Sequence, residues 1–357
     1  MITVESVIQM KPDSAILTIA IPTYNRAAKL QAQLERLLPQ SGPEIRICVY
    51  DNASPDDTQA VVAKYISQGV SYYRAATNCG AGRNVFRCFE ECQTEWLWVL
   101  SDDDLASETA AKDLLTILRQ QSCDFIHLST CVSAYGDNLV VSDVESLLQR
   151  TMFSALLWIS AGVYRVPSFV PLYRMYNDSL STWCPHLLMV LSLLESQDGK
   201  VLLSTTELLA RTHHDACRWS TLDCILRNSQ APEYLMRPAN QKLLATRILV
   251  EWFNGALLLG LREASQAEKI QRWQRIRRLS YMNLKAYAAQ GSMNYFIHNW
   301  FRAGLRKRSL NLVVDTFMVD LLGWCSVCLF RSLMKLLPLP KIVKDECCKH
   351  EEYDHSS

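Results

Sequence analysis

The chain has 357 residues, 49% of them hydrophobic and 20% charged, with a formal net charge of +1. That length accommodates one large or two ordinary domains, and the balanced charge gives no basis for nucleic-acid binding. The 13 cysteines are odd in number and scattered, which fits reduced thiols in a cytosolic protein better than a disulfide framework. Cys325-Ser-Val-Cys328 and Cys347-Cys348-Lys-His350 have loosely metal-like spacing, but neither has the second half that a four-ligand zinc site needs. Residues 1–12 carry Glu5 and no long apolar run, so no signal peptide is expected.

In chain order, Ile16–Ile21 reads as a buried strand ended by Pro22, followed by the polar turn Thr23-Tyr24-Asn25-Arg26. Ala27–Leu38 has helical spacing through Leu30, Leu34, Leu37 and Leu38. Ile45–Tyr50 is a second strand, closed by Asp51 and a loop whose later residues cap a helix over Gln59–Ser67. Val70–Arg74 is a third strand. Asn78-Cys79-Gly80-Ala81-Gly82-Arg83-Asn84 then leads into a helix running to about Cys92. The fourth strand, Trp96-Leu97-Trp98-Val99-Leu100, is apolar throughout and stops at Ser101-Asp102-Asp103-Asp104. Alternating strands and helices predict a doubly wound α/β fold with polar loops gathered on one edge.

Three adjacent carboxylates repel one another unless solvent, a base or a cation relieves them. A solvated turn capping the next helix is one reading of the triplet. The other is a hard divalent cation, Mn²⁺ or Mg²⁺, which would bring a diphosphate with it.

The first half resembles a family 2 glycosyltransferase of the GT-A fold. Four segments carry the resemblance: Ile19–Arg26, Val49–Asp56, Asn78–Asn84 and Leu100–Asp104. It is strong over Ile16 to about Leu115 and fades beyond. The resemblance implies a nucleoside-diphosphate-sugar donor, with Pro22, Thr23 and Tyr24 along the nucleotide base and Asp51 accepting a base N–H. A carboxylate suits that task as a strong acceptor with no donor of its own. Asn78 and Arg83 fall on the same donor side, at a helix entry that favours negative charge. Ser101 departs from the family's Asp-x-Asp-Asp. That assigns Asp102 to the ribose, Asp103 to the metal, and Asp104 to a second ligand or an orienting group.

Beyond the triplet, Cys123–Ser129 and Ser160–Arg165 read as strands, Ser133–Asp143 as a loop or hairpin, and Thr151–Ile159 as a helix. Thr182–His186 opens an apolar helix over Leu187–Leu194, and Lys200–Leu203 is a further strand. Relatives carry Glu-Asp where that helix starts, with the Asp as general base. Here Pro185-His186 stands near that place, so His186 is the candidate base, with Asp178 as fallback. The resemblance also implies a late histidine on the metal, His213 or His214, and a closing Arg218 or Trp219.

From Cys224 the pattern turns helical. Asn240–Arg262 has helical spacing, basic clusters follow, and Leu310–Leu337 is apolar but interrupted by Asp315 and Asp320, which argues against a membrane span. A helical appendage on the catalytic domain, a homo-oligomer face and peripheral contact with an anionic leaflet all fit this region. The expected organisation is a GT-A domain over 1–225, a helical region over 226–343 and a disordered tail over 344–357. The expected activity is metal-assisted, inverting transfer to a glycan acceptor, lipid-linked as in bacterial O-antigen or capsule assembly, at the cytoplasmic face of the membrane. The rivals are a nucleotide-sugar pyrophosphorylase, for which Thr23–Arg26 lacks a glycine-rich triphosphate loop, and a scaffold that has lost turnover.

Overall fold

The computed structural model describes residues 15–120, 122–130, 135–196, 199–210, 227–228 and 230–248. The chain divides into compact units over 1–251 and 252–357, and every described residue belongs to the first. His213, His214, Arg218 and Trp219 lie outside the described residues, as do Leu310–Leu337 and the tail. The membrane and oligomer readings of that C-terminal region therefore rest on sequence. Among the described residues, no helix is long and apolar enough to cross a membrane.

Eight strands form one sheet in the order β3-β2-β1-β4-β7-β5-β8-β6. They are β1 (Leu17–Thr23), β2 (Ile45–Asp51), β3 (Val70–Arg74), β4 (Trp96–Val99), β5 (Phe125–Ser129), β6 (Leu139–Val141), β7 (Gly162–Arg165) and β8 (Val201–Glu207). β1 through β4 are parallel, β5 and β8 are parallel to each other, and β7 and β6 run against their neighbours. The mostly parallel, doubly wound expectation holds. β1 and β4 are buried along their lengths because helices cover both faces. Leu17, Ile19 and Ile21 pack toward α1 (Ala27–Leu37), α2 (Thr58–Ala63) and α4 (Ala110–Gln120). The opposite face receives α3 (Ala81–Glu90), whose Phe86 and Phe89 stack among Tyr164, Tyr173 and Tyr176.

Chain order runs outward from β1 to β3, then returns to β4 on the other side of β1. The strand order therefore reverses between β1 and β4, and a crevice opens there beyond the strand ends. The polar turn after β1 and the acidic triplet after β4 meet at this point.

Past the triplet, the short helices are α5 (Val144–Arg150), α6 (Phe153–Leu156), α7 (Val166–Phe169) and α8 (Tyr173–Asp178). The helix expected over Thr151–Ile159 stops at Leu156, because Trp158 takes an extended backbone and a 3₁₀ turn follows over Ile159–Ala161. The polar stretch before Asp143 contains β6, an edge strand antiparallel to β8. α9 (Pro185–Glu195) is buried on every side, as a helix apolar all round should be. Residues 231–248, within the expected helical region, pack on this unit through α10 (Pro238–Ile248), which lies against α5. Glu195 at the end of α9 accepts from the Met236 and Arg237 backbone N–H groups (2.7 and 2.9 Å) and from Asn240 Nδ2 (2.9 Å). That buried carboxylate caps the start of α10 from another helix.

Candidate active site

The three acids take three different environments. Asp104 is buried and turned inward, where its Oδ2 accepts from Trp158 Nε1 and from Ser160 Oγ (2.6 Å). Ser160 also accepts the Ser101 backbone N–H at 2.9 Å, and its carbonyl accepts Trp98 Nε1 at 2.8 Å. The helix breaks after Leu156 so that Trp158 and Ser160 can reach the acidic loop. Asp104 thereby orients the loop.

Asp102 is also buried, its Oδ2 accepting Thr23 Oγ1 at 2.6 Å and its Oδ1 accepting Arg26 Nη1 at 2.7 Å. Burial pushes the Asp102 carboxyl above its ordinary range, and the bonds from Thr23 and Arg26 restrain the rise. Asp103 keeps a third of its side chain exposed, with one oxygen on Ser101 Oγ and the other on Arg26 Nη1 at 2.8 Å. One guanidinium nitrogen thus serves two carboxylates. Desolvation opposes the charge on Arg26, but the two acids outweigh it and hold the group firmly protonated.

The turn between β1 and α1 is shaped for this contact. Asn25 is left-handed (φ 55°), which asparagine tolerates, and its N–H donates to Ser54 Oγ at 2.9 Å. Arg26 sits at the N-cap of α1 without capping it. Asp56 from the β2 loop instead accepts the Ala27 N–H at 2.9 Å, which leaves Arg26 free for the acids. About two turns along α1, fully buried Gln33 clamps the acidic loop from behind. Its Nε2 donates to the Asp104 carbonyl (3.1 Å) and its Oε1 accepts the Ala106 N–H (3.0 Å).

Beside this centre, Asp51 is fully buried and accepts from the Ser54 N–H (2.8 Å), Tyr72 Oη (2.6 Å) and Arg74 Nη1 (2.6 Å). Desolvation alone would raise its carboxyl, but these three bonds prevail and lower it. The same bond helps push the Tyr72 phenol up to about 12, after burial as the larger cause. Asp51 therefore carries a built shell, and most of its acceptor capacity is already used. Asn52 links the second and third loops to the first. Its N–H donates to the Thr23 carbonyl (3.0 Å), and its side chain bonds Asn78 Oδ1 (2.9 Å) and the Cys79 N–H (2.9 Å). Pro22 closes the apolar part of β1, and Tyr24 stands half exposed at the lip.

Thr23, Asp102 and Asp103 converge, then, with Asp104 as their support and Pro22, Tyr24, Asp51 and Asn78 alongside. Arg83 faces α8 instead, donating to Asn177 Oδ1 (2.9 Å) and pairing with Glu90 (3.1 Å). Asp178, the next residue, ends α8 with its side chain exposed and a long contact to Arg174 (3.7 Å). His186 lies inside the fold with 7% exposure, Nε2 unpartnered and its pKa driven down to about 4, mainly by burial. Among the described residues no three His, Cys, Asp or Glu side chains converge as a metal cage.

The sequence reading passed over Arg26, Gln33, Trp158, Ser160, Tyr72 and Arg74. Signals existed for some. Gln33 is polar on the apolar stripe of α1, and Tyr72 and Arg74 alternate on one face of β3.

Residues 18–155 match the sequence model of Glycosyl transferase family 2. Abequosyltransferase RfbV of Salmonella typhimurium is 30% identical over 109 residues, 29% of this chain and 32% of that protein. An uncharacterized glycosyltransferase of Haemophilus influenzae is 29% identical over 113 residues, 31% of this chain and 38% of that one. The matched stretch thus spans about a third of these curated relatives. The crystal structure of Staphylococcus aureus TarS 1–349 in complex with UDP-GlcNAc has a TM-score of 0.58 at 14% identity, covering 83% of this chain and 93% of that one. That similarity establishes a shared GT-A fold. The four loops described above thus lie within residues 18–155, the stretch that matches glycosyl transferase family 2.

Proposed function

We propose that this chain transfers a glycosyl group from a nucleoside-diphosphate sugar to a hydroxyl of a glycan acceptor, with Mn²⁺ or Mg²⁺ held by Asp103 and, in place of the ribose contact expected of it, by Asp102. The observation that carries the reading is one cation shared by two carboxylates at the switch point of a family 2 domain. The donor set fits a hard ion, which takes one or two protein carboxylates and completes its shell with water and phosphate oxygens. A metal held there would supply positive charge against the departing nucleoside diphosphate. Thr23 and Ser101 hold the two carboxylates in place before donor arrives. Asp51, with Tyr72 and Arg74, forms the wall for the nucleotide base, and Tyr24 and Asn78 line its approach. The family expectation that His213 or His214 adds a ligand, and Arg218 or Trp219 a closing group, remains part of this proposal.

For the proton of the acceptor hydroxyl, Asp178 is the accessible candidate. Asn177 bonds Arg83 near the start of α3, and the loop entering α3 bonds Asn52, which in turn bonds the β1 loop. The end of α8 is thus tied to the start of α3, the helix that leads out of the same group of loops. His186 is enclosed and weakly basic, so its part is structural in this reading. The acceptor oxygen bonds to the anomeric carbon, the bond to diphosphate breaks, Asp178 takes the proton, and inversion follows from direct displacement. The likeness to abequosyltransferase RfbV supports a bacterial surface glycan as acceptor, and TarS bound to UDP-GlcNAc supports a nucleotide sugar as donor.

The test is donor hydrolysis and transfer by the purified full chain with UDP-, GDP-, CDP- and dTDP-sugars and Mn²⁺. Asp103→Ala is expected to lower turnover about 100-fold or more. Wild-type turnover by a folded Asp103→Ala chain would overturn the metal assignment. Nucleotide-sugar synthesis from a nucleoside triphosphate and a sugar phosphate, without transfer, would favour a pyrophosphorylase.

A further inference from the structure

We propose that Arg26 is a built-in counter-ion that occupies the cation position between Asp102 and Asp103 until a metal exchanges for it. The proposal rests on the metal reading above and assigns a role to a residue which that reading leaves idle. A single nitrogen, Nη1, bonds Asp102 at 2.7 Å and Asp103 at 2.8 Å, so the guanidinium sits between the two carboxylates that would hold a divalent ion. Asp102 has 2% of its side chain exposed and needs a positive partner to stay ionised. Arg26, in contrast, is 43% exposed and reaches in from a turn. Its departure into solvent restores its hydration, whereas the acids stay anchored by Thr23 and Ser101. The pair thus remains charged and shaped in the empty enzyme, and a metal arriving alone must first displace an internal competitor. A metal arriving with a diphosphate gains extra ligands for the exchange. The released guanidinium is then free beside those phosphate oxygens, which it matches geometrically.

If the acids are available only when Arg26 swings out, apparent metal affinity is reduced by the fraction of time they are open. Removing the competitor therefore strengthens binding of the bare ion. The experiment is Mn²⁺ titration of the full chain by electron paramagnetic resonance at pH 8, without nucleotide. It compares wild type, Arg26→Ala, Arg26→Lys and Arg36→Ala. Arg26→Ala is expected to bind Mn²⁺ about tenfold or more tightly than wild type. Arg26→Lys should fall between, because an ammonium is a compact point charge without the planar fork. Arg36→Ala removes an equal charge from the same helix, where it pairs with Glu108 at 2.8 Å, and should leave affinity within about twofold at physiological salt. Unchanged or weaker Mn²⁺ binding by folded Arg26→Ala overturns the proposal, as does an equal gain in Arg36→Ala. If Arg26→Ala does not fold, Arg26→Lys decides in the same way. A parallel titration with 1:1 Mn²⁺ and UDP tests the metal reading separately. Wild type that binds the ion with UDP, while the variants bind the bare ion no better than wild type, sinks the counter-ion role and spares the site. Wild type and variants that bind no Mn²⁺ under either condition sink both.

Discussion

Gln33→Leu is the sharpest probe of how the acidic loop is held. Leucine nearly matches glutamine in volume, so the packing of α1 changes little. The substitution removes both bonds from Gln33 to the loop backbone, at the Asp104 carbonyl and the Ala106 N–H. A net hydrogen bond is worth about 1 kcal/mol, and a buried N–H stripped of its acceptor costs about 1–3 kcal/mol more. The expected destabilisation is about 3 kcal/mol, a fall in melting temperature on the order of 6–12 °C for a domain of this size. The same loop carries Asp102 and Asp103, so Mn²⁺–nucleotide affinity should fall alongside stability. Differential scanning calorimetry and nucleotide titration read the two effects. A melting temperature within 1–2 °C of wild type, with affinity unchanged, would refute the clamp, since the loss would then be below about 1 kcal/mol.

Glu195→Gln is expected to destabilise the fold by about 2–3 kcal/mol, because one carboxylate oxygen facing an N–H donor becomes an NH₂ group. Hydrogen exchange should show the loss concentrated in α10, and uniform exchange across the unit would count against the cap. Acid should weaken the fold through two buried histidines. His127, held by the Ala155 carbonyl and Tyr135 Oη, and His186 both have pKa values lowered to about 4, chiefly by burial. The unfolded chain therefore takes up these protons first. Their stabilisation is complete above pH 6.5 and drains away as pH falls toward 4, by about 2 kcal/mol per histidine at pH 5. Urea midpoints between pH 7.5 and 5 measure this. His186→Met should remove about half of the slope, and an unchanged slope would show that His186 titrates normally.

Much of the N-terminal half was legible because its signals are local. β1 to β4 are apolar runs that end abruptly in polar loops, and burial of such runs requires helices on both faces. That pattern, with Asp51 and the triplet at strand ends, led to the fold and to the edge where the polar loops gather. Other features depended on partners far along the chain. The helix expected over Thr151–Ile159 ended early because Trp158 and Ser160 bond an aspartate more than fifty residues away. Strand β6 was hidden because it is short, half exposed and paired only with β8.

The sequence by itself determined the layering of strands and helices, the edge where the loops gather, and the family resemblance over residues 18–155. Only the tertiary structure decided how three chemically identical aspartates divide their work. Asp104 faces inward to Trp158 and Ser160, and Asp102 and Asp103 share Arg26. It likewise placed His186 in the interior and left Asp178 exposed at the end of α8. The physical reason is that a residue's type sets which bonds and charges it can offer. Burial and the partners supplied by distant segments set which of them it uses.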